Sequence, residues 1–165
     1  MEKSGMAEFD RRLDELGLVL PQAPTPAANY LPFASAGGLI QLAGVAPSSN
    51  GAYAVVGKIG DDLDIEDGRR AASICALNLL AVLKLACEGD LDRVQRFVML
   101  RGFVNATAEF ERVPFVIDAA SDLIISVFGP QVGSHARTSI GCATLPGRVA
   151  VELDALVLLR ESPES

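Results

Sequence analysis

The alternation of apolar and polar residues near the C-terminus predicts a strand with one buried face. In the run VAVELDALVLL, the odd positions from Val149 to Val157 are all apolar, whereas the even positions include Glu152 and Asp154 beside two leucines. Because side chains alternate across a strand, the odd face is expected to pack on helices. The mixed even face is unusual for a surface open to water, and we expect another subunit to cover it.

Apolar residues at helical spacing predict three helices, and valine-rich or alternating runs predict the strands between them. The helices are FDRRLDEL, a long helix capped by Asp64, and the stretch PFVIDAASDLIISVFGP, which Gly129-Pro130 stops. The strands are GGLIQLAGVAP, DRVQRFVMLRGFVN, ARTSIGCAT and the C-terminal run, and Asn50-Gly51 favours a tight hairpin turn. This order predicts an α+β fold, a mixed sheet with two long helices packed on one face and a short N-terminal helix.

The last two strands are expected to form a hairpin. If Pro146-Gly147 is a two-residue turn, Glu152 lies opposite Gly141 and Arg137 lies opposite Leu156. One face of this hairpin would then carry Arg137, Ser139, Gly141, Glu152 and Leu156. A polar pair in a partly apolar interface is a natural place for a small anionic ligand. We expect such an anion beside Arg137, with Leu156 as an apolar wall that favours short aliphatic ligands.

Charge and composition limit the classes of function. With a formal net charge of -7, the chain is expected to repel phosphate backbones, so nucleic acid is not an expected partner. Three cysteines without metal-ligand spacing and a single histidine argue against a metal site.

The distribution of apolar residues bears on location and domain organisation. The charged N-terminus has no apolar signal segment, and no apolar run approaches the ~20 residues that span a bilayer. We therefore expect a cytoplasmic protein without a membrane partner. The 165 residues are divided into a helical lead-in at 1–17, a single domain at 18–160 and a C-terminal tail at 161–165.

The stretch GSHARTSIG holds the only histidine, His135, two residues before Arg137. Arg137 offers a planar fork of donors that matches a carboxylate, so it is a candidate ligand binder, the alternative being a surface or interface salt bridge. Glu152 could hold an attacking water by hydrogen bonding or as a base, the alternative being a solvated or salt-bridged strand acid. Asp154 is expected to form a structural ion pair at an interface. A serine hydrolase is disfavoured because His135 is adjacent to Ser134 and no GxSxG elbow is present.

The run ARTSIGCATLPGRVAVELDA resembles the reactive intermediate deaminase family, also called Rid or YjgF-like and labelled endoribonuclease L-PSP. That family has an arginine on a late strand, a Leu-Pro turn and a glutamate fifteen residues after the arginine, and Arg137, Leu145-Pro146 and Glu152 reproduce all three. The stretches LAGVAP, GFVNATAEF and ASDLIISVFGPQVGSHAR fit as well. The resemblance covers about residues 18–159 and is greatest for a longer YjgF-like branch.

The resemblance implies a chorismate-mutase-like fold and a homotrimer with ligand clefts between subunits. It implies cofactor-free hydrolysis of reactive enamines and imines, such as 2-aminoacrylate, to 2-oxo acids and ammonia, with Arg137 and Glu152 as the catalytic residues. Ser139 stands where the family has a cysteine and Phe33 where it has a tyrosine, and both are expected to line the pocket with Arg137. Asn105 ends an interior strand and is expected to cap it or to line the cleft.

The departures at Ser139 and Phe33 leave an alternative open, a non-catalytic homotrimer that binds a small carboxylate or a partner protein. A ribonuclease is disfavoured, because the chain is acidic and lacks a basic surface with interleaved aromatic residues.

Overall fold

The computed structural model describes residues 7–160. Their secondary structure follows the expected order, except for an additional strand at Phe33–Ala36 and a helix that continues past Gly129-Pro130 to Gly133. The helices are α1 (Glu8–Glu15), α2 (Ile65–Ala86) and α3 (Val113–Gly133). The strands are β1 (Phe33–Ala36), β2 (Leu39–Val45), β3 (Ser48–Ser49), β4 (Ala52–Tyr53), β5 (Val94–Asn105), β6 (Ala136–Cys142) and β7 (Val151–Leu159). Short 3-10 turns lie at Leu91–Arg93 and Pro146–Arg148. The tail at 161–165 and the first six residues of the lead-in lie outside the described residues, and the division at 17 and 160 stays a prediction.

Helix α2 begins where the sequence predicts, at the N-cap Asp64. The Asp64 carboxylate accepts a hydrogen bond from the backbone N–H of Asp67 at 2.9 Å, and the Asp67 carboxylate accepts one from the backbone N–H of Asp64 at 3.2 Å. This reciprocal pair satisfies two donors that the first turn leaves open. Small buried residues then let the helix lie close on the sheet, among them Ala71, Ala72, Cys75 and Ala76.

The main sheet has the strand order β1-β2-β7-β5-β6. All neighbouring strands are antiparallel except β5 and β6, which are parallel. Helix α2 packs on β7, and the odd residues of this strand are buried, as the alternation predicted: Val151, Leu153, Ala155, Val157 and Leu159. The even residues of β7 are half-exposed, and they define what we call the open face of the sheet. Within residues 7–160, no helix packs on this face.

The expected hairpin between β6 and β7 is wrong. A helix that joins two strands brings the chain back in the same direction, so β5, α3 and β6 form a strand–helix–strand unit with β6 parallel to β5. Strand β7 pairs on the other side of β5, and the segment 143–150 passes the end of β5 to reach it. Consequently Arg137 lies opposite Leu100 and not Leu156, and Glu152 lies opposite Phe103 and not Gly141.

The parallel register also changes which residues of β6 face the helices. Thr138 lies opposite Arg101, which pairs with Asp154 of β7, so Thr138 belongs to the open face. Arg137 and Ser139 therefore point toward α3, and the shared face expected for Arg137 and Glu152 does not form. Leu156, the expected apolar wall beside Arg137, lies opposite Met99 on the open face instead.

Helix α3 is long and apolar enough to cross a membrane by length and composition, with a mean hydropathy of 1.5 over an 18-residue window. The expectation that no apolar run approaches this length is therefore wrong. In the structure α3 packs on β5, β6 and α2, and Val116, Ile117, Ala120 and Ile124 are fully buried there. It is the core helix of a soluble domain fold.

Candidate active site

Arg137 lies on β6, at the edge of the sheet, and its side chain contacts α3. Its Nη1 donates hydrogen bonds to Asp118 Oδ1 at 2.8 Å and to Ser121 Oγ at 3.1 Å, and its Nη2 lies 3.4 Å from the carbonyl oxygen of Pro114. The Arg137 side chain is only 24% exposed, so its charge needs a partner nearby. The sequence-based expectation had a small anion in this role, whereas the structure gives it to Asp118.

A chain of hydrogen bonds continues from Arg137 to His135. The Nδ1 atom of His135 lies 2.6 Å from the carbonyl oxygen of Gly133, which can only accept, so Nδ1 carries the proton of the neutral ring. The Nε2 atom, 3.0 Å from Ser121 Oγ, then accepts from the Ser121 hydroxyl. Burial lowers the pKa of His135 below 6.5, and the charge of Arg137 lowers it further, although the bond to Gly133 acts in the opposite direction. The ring therefore stays neutral and acts as an acceptor at neutral pH.

Glu152 lies on the open face of β7, beside Gly44 of β2. A Cβ atom at position 44 would overlap Glu152 Oε1, so the glycine makes room for the carboxylate. Burial raises the pKa of Glu152 above 4.5, and the neighbouring carboxylate of Asp154 raises it further. In the part of the chain that the structure describes, the Glu152 carboxylate makes no hydrogen bond and no ion pair. A half-buried carboxylate with a raised pKa is suited to accept a proton from water.

A groove of about 810 Å³ opens beside Glu152. Its walls are the proline-rich segment 21–27, residues 43–46 at the end of β2, and the β3–β4 hairpin with Tyr53. The hairpin turns at Asn50 and Gly51 as predicted, both with positive φ. The groove is a concave, partly apolar surface that meets a single acidic group, which is a common composition for a ligand site.

The sequence model of the family described as "YjgF/chorismate_mutase-like, putative endoribonuclease" matches residues 10–158. The chain belongs to the YjgF family. It is 43% identical over 147 residues to protein TCP17 of Trypanosoma cruzi, covering 89% of this chain and 91% of TCP17.

Two solved structures are similar in both sequence and fold. The crystal structure of Agrobacterium tumefaciens Atu1372, a protein of unknown function, shares 42% identity and a TM-score of 0.85, covering 93% of this chain and 94% of Atu1372. A "putative endoribonuclease" from Shewanella oneidensis shares 29% identity and a TM-score of 0.87, covering 92% of this chain and 99% of that one. The sheet with helices on one face is thus the YjgF/chorismate-mutase-like fold, as the resemblance implied.

The two residues that match the YjgF motif, Arg137 and Glu152, are not brought together in the fold of the chain. Arg137 points to the helix side of β6, whereas Glu152 points to the open face of β7, and β5 runs between the two strands. Their catalytic roles stay predictions. A ligand that contacts both side chains would have to lie between the helix side of β6 and the open face of β7.

Ser139 lies on the same side of β6 as Arg137. Its Oγ is buried and is the one buried side-chain polar atom of residues 7–160 without a hydrogen-bond partner. A buried hydroxyl without a partner is costly and is a common mark of a missing ligand or water. Its predicted role in substrate binding is compatible with this position.

Phe33 and Asn105 are held by the fold itself. Phe33 pairs with the buried Leu42 and packs against the core. The Asn105 side chain donates to the carbonyl oxygen of Gly57 at 3.0 Å and accepts from Lys58 Nζ at 2.6 Å, so both of its polar atoms fix the segment before α2. The substrate-binding roles predicted for these two residues stay predictions.

Asp118 and Ser121 were missed by the sequence reasoning. They lie three residues apart, on one face of α3, where the surrounding sequence PFVIDAASDLIIS is otherwise mostly apolar. This spacing of polar residues in an apolar helix was the available signal. It could not be linked to Arg137 while β6 was assigned to a hairpin with β7.

Asp154 forms the ion pair that was predicted for it, and its position at an interface stays a prediction. Arg101 Nε lies 2.7 Å from Asp154 Oδ1 on the open face. Within residues 7–160, no group of three or more His, Cys, Asp or Glu side chains is placed to hold a metal ion.

Proposed function

We propose that the protein is a cofactor-free deaminase that hydrolyses reactive 2-imino acids, and their enamine tautomers such as 2-aminoacrylate, to 2-oxo acids and ammonia. The Arg137 guanidinium binds the substrate carboxylate through charge-assisted hydrogen bonds. Glu152 accepts a proton from a water molecule, whose oxygen adds to the imine carbon, and the protonated Glu152 returns that proton to the imine nitrogen. The resulting carbinolamine releases ammonia and leaves the 2-oxo acid. Imines of this kind also hydrolyse in water, so holding the water and the imine in place is sufficient catalysis.

The observation that carries the proposal is the state of Glu152. Its carboxylate is half-buried, its pKa is raised by burial, and it faces a groove without a hydrogen-bond partner among the described residues. A structural strand acid would be expected to have an ion pair, as its neighbour Asp154 has with Arg101. A general base, in contrast, needs an accessible lone pair and a pKa closer to neutral.

A homotrimer with shared sites is part of the proposal. Arg137 and Glu152 lie on opposite sides of one sheet, so a small ligand can contact both only if they come from different subunits. The open face is half-apolar and β6 is an edge strand with Ile140 46% exposed, which makes both surfaces available for association. If the β6 edge of one subunit packs across the open face of the next, Arg137 of the first approaches Glu152 of the second. Sedimentation as a monomer at micromolar concentration would contradict this arrangement.

The test of the proposal is an imine-hydrolysis assay. An amino-acid oxidase generates the 2-imino acid in situ, and semicarbazide traps the imine that has not been hydrolysed. The purified protein is expected to lower the amount of trapped imine, and Glu152→Gln is expected to reduce kcat/KM by about 10²–10⁴-fold, the usual contribution of a general base. Asp122→Asn, an exposed change on α3, serves as the matched control and should leave the rate unchanged. Equal rates for wild type and Glu152→Gln would reject Glu152 as the base.

The separation of Arg137 and Glu152 on opposite faces of the sheet favours a second candidate function, a non-catalytic homotrimer that binds a small carboxylate or a partner protein. In that case the protein would bind a 2-oxo acid such as pyruvate but would not accelerate imine hydrolysis.

An endoribonuclease activity is named in the description of the family and in that of the Shewanella relative. It fits less well, because the net charge of -7 disfavours a polyanionic substrate. A cytoplasmic location is also part of the proposal, since the three cysteines are free thiols.

A further inference from the structure

The contact between Arg137 and Asp118 limits how a ligand can approach the guanidinium. The two N–H groups of Nη1 serve Asp118 and Ser121, at 2.8 and 3.1 Å. Among residues 7–160, Nε has no partner at hydrogen-bond distance, and Nη2 has only the 3.4 Å contact with Pro114. A carboxylate can therefore bind side-on to Nε and Nη2 while Asp118 stays in place.

Asp118 also sets the charge of this region. The Arg137 side chain is 24% exposed and that of Asp118 is 43% exposed, so water screens their charges only in part. The Arg137–Asp118 pair is neutral as a unit, whereas Arg137 alone would present a full positive charge to the ligand. A ligand with two negative charges therefore gains less from Arg137 than it would if Asp118 were uncharged.

We propose that Asp118 is a positioning and specificity residue, which fixes the Arg137 guanidinium for side-on binding and cancels its charge, so that the site takes monoanionic or zwitterionic 2-imino acids and disfavours dicarboxylic ones. The inference rests on the proposed function, because it assigns the carboxylate of the substrate to Arg137. It replaces the apolar wall at Leu156 as the source of selectivity for small, uncharged side chains.

The experiment compares the binding of two 2-oxo acids by titration calorimetry at low ionic strength. Pyruvate represents the product of a monocarboxylic imine, and 2-oxoglutarate represents the product of a dicarboxylic one. Asp118→Asn is expected to raise the affinity for 2-oxoglutarate relative to pyruvate by about fivefold, since one partly screened charge is removed near the second carboxylate. Asp122→Asn makes the same chemical change one residue after Ser121 on the exposed side of α3, and it should alter the ratio by less than about twofold.

A further variant separates charge from structure. Asp118→Glu keeps the negative charge and should retain the wild-type ratio, even if it shifts both affinities. An unchanged ratio in Asp118→Asn, an equal shift in Asp122→Asn, or a shift in Asp118→Glu as large as that in Asp118→Asn would overturn the role of Asp118. Thermal unfolding of each variant confirms that the folded protein is being titrated.

The same titrations distinguish failure of this inference from failure of the proposed function. If the wild-type protein binds neither probe, or if the Arg137→Lys variant binds both probes as tightly as the wild type does, the inference is overturned together with the role of Arg137. Binding that depends on Arg137, with the predicted change of ratio in Asp118→Asn, supports the inference even if no imine is hydrolysed. That combination would contradict the deaminase proposal alone.

Discussion

Arg137 and Glu152 lie fifteen residues apart in the sequence but on opposite faces of the same sheet, with β5 between their strands. The family resemblance predicts that these two residues share one site, and the fold of the chain by itself does not bring them together. The two facts agree if the site is built by two subunits, one presenting the edge strand β6 and the other the open face. The geometry of this pair therefore links the proposed activity to the proposed oligomer.

Replacing Arg137 by lysine tests the binding role of the guanidinium. Lysine keeps the positive charge but loses the planar fork that matches a carboxylate, and it cannot satisfy Asp118 and Ser121 as well as a ligand. We expect kcat/KM for imine hydrolysis to fall by about 10- to 100-fold, the cost of one or two charge-assisted hydrogen bonds. Steady-state kinetics with the alanine-derived imine measure this change, and an unaltered kcat/KM would remove Arg137 from the mechanism.

Adding a methyl group at Gly44 should displace Glu152 without unfolding the protein. The φ angle of Gly44 is not in the left-handed region, so alanine fits the backbone, but its Cβ would overlap Glu152 Oε1. The flexible glutamate side chain is expected to move, so activity should fall while the midpoint of thermal unfolding changes little. In the Glu152→Gln background Gly44→Ala should have almost no further effect on kcat/KM, because the two changes act on one group. If the fold reductions in kcat/KM of the two substitutions multiply instead, Gly44→Ala lowers activity through a group other than Glu152.

His135 offers a direct check of the hydrogen-bond chain around Arg137. Burial and the charge of Arg137 lower its pKa below 6.5 in the folded protein. A base with a lowered folded pKa contributes stability that is fully present above about pH 6.5 and is lost as the pH falls through the folded pKa. Since His135 is the only histidine, one NMR titration reports its pKa without ambiguity.

The pH dependence of the free energy of unfolding, compared between the wild type and His135→Gln, gives a second test of the lowered pKa of His135. The loss of stability on acidification should be smaller in His135→Gln than in the wild type, because glutamine has no proton to gain. Comparing the two proteins cancels the contribution of the carboxyl groups, including Glu152. A measured pKa at or above 6.5 for His135 would contradict its buried, neutral role.

The contact of β5 with α3 predicts a change in stability that is separate from function. A Cβ at Gly102 would lie 2.5 Å from Ile117 Cδ1 in the fully packed core. Gly102→Ala should destabilise the protein by about 1–3 kcal/mol, the usual cost of overpacking. Gly141→Ala is the control, since its Cβ would meet only Val113 Cγ2 at an ordinary 3.6 Å. Urea unfolding measures both variants, and equal midpoints would show that the core adapts to the extra methyl group.

Local patterns predicted much of this fold. The cap at Asp64, the turn at Asn50-Gly51 and the alternation along β7 each depend on neighbouring residues, and all three are present in the structure. The order of helices and strands and the family resemblance followed from the same kind of signal. Each of these features is settled by interactions within a few residues of the chain.

Strand pairing could not be obtained in the same way. Whether β6 pairs with β5 or with β7 depends on contacts between distant segments, and the short Pro146-Gly147 turn favoured the wrong partner. The error exchanged the two faces of β6, so Arg137 was placed beside Leu156 and its actual partner, Asp118, was missed. The choice of the wrong pairing partner for β6 therefore changed the predicted surroundings of Arg137 more than any other error did.

The central claim is that one site takes Arg137 from one subunit and Glu152 from another, and subunit complementation tests it most directly. Arg137→Lys and Glu152→Gln subunits are purified separately, mixed in equal amounts under dissociating conditions, reassembled, and assayed for hydrolysis of the alanine-derived imine. Random mixing should form intact sites and restore about a quarter of wild-type activity, since each site draws one residue from each of two neighbouring subunits. Mixed oligomers that remain as inactive as the two parent variants would contradict a shared site.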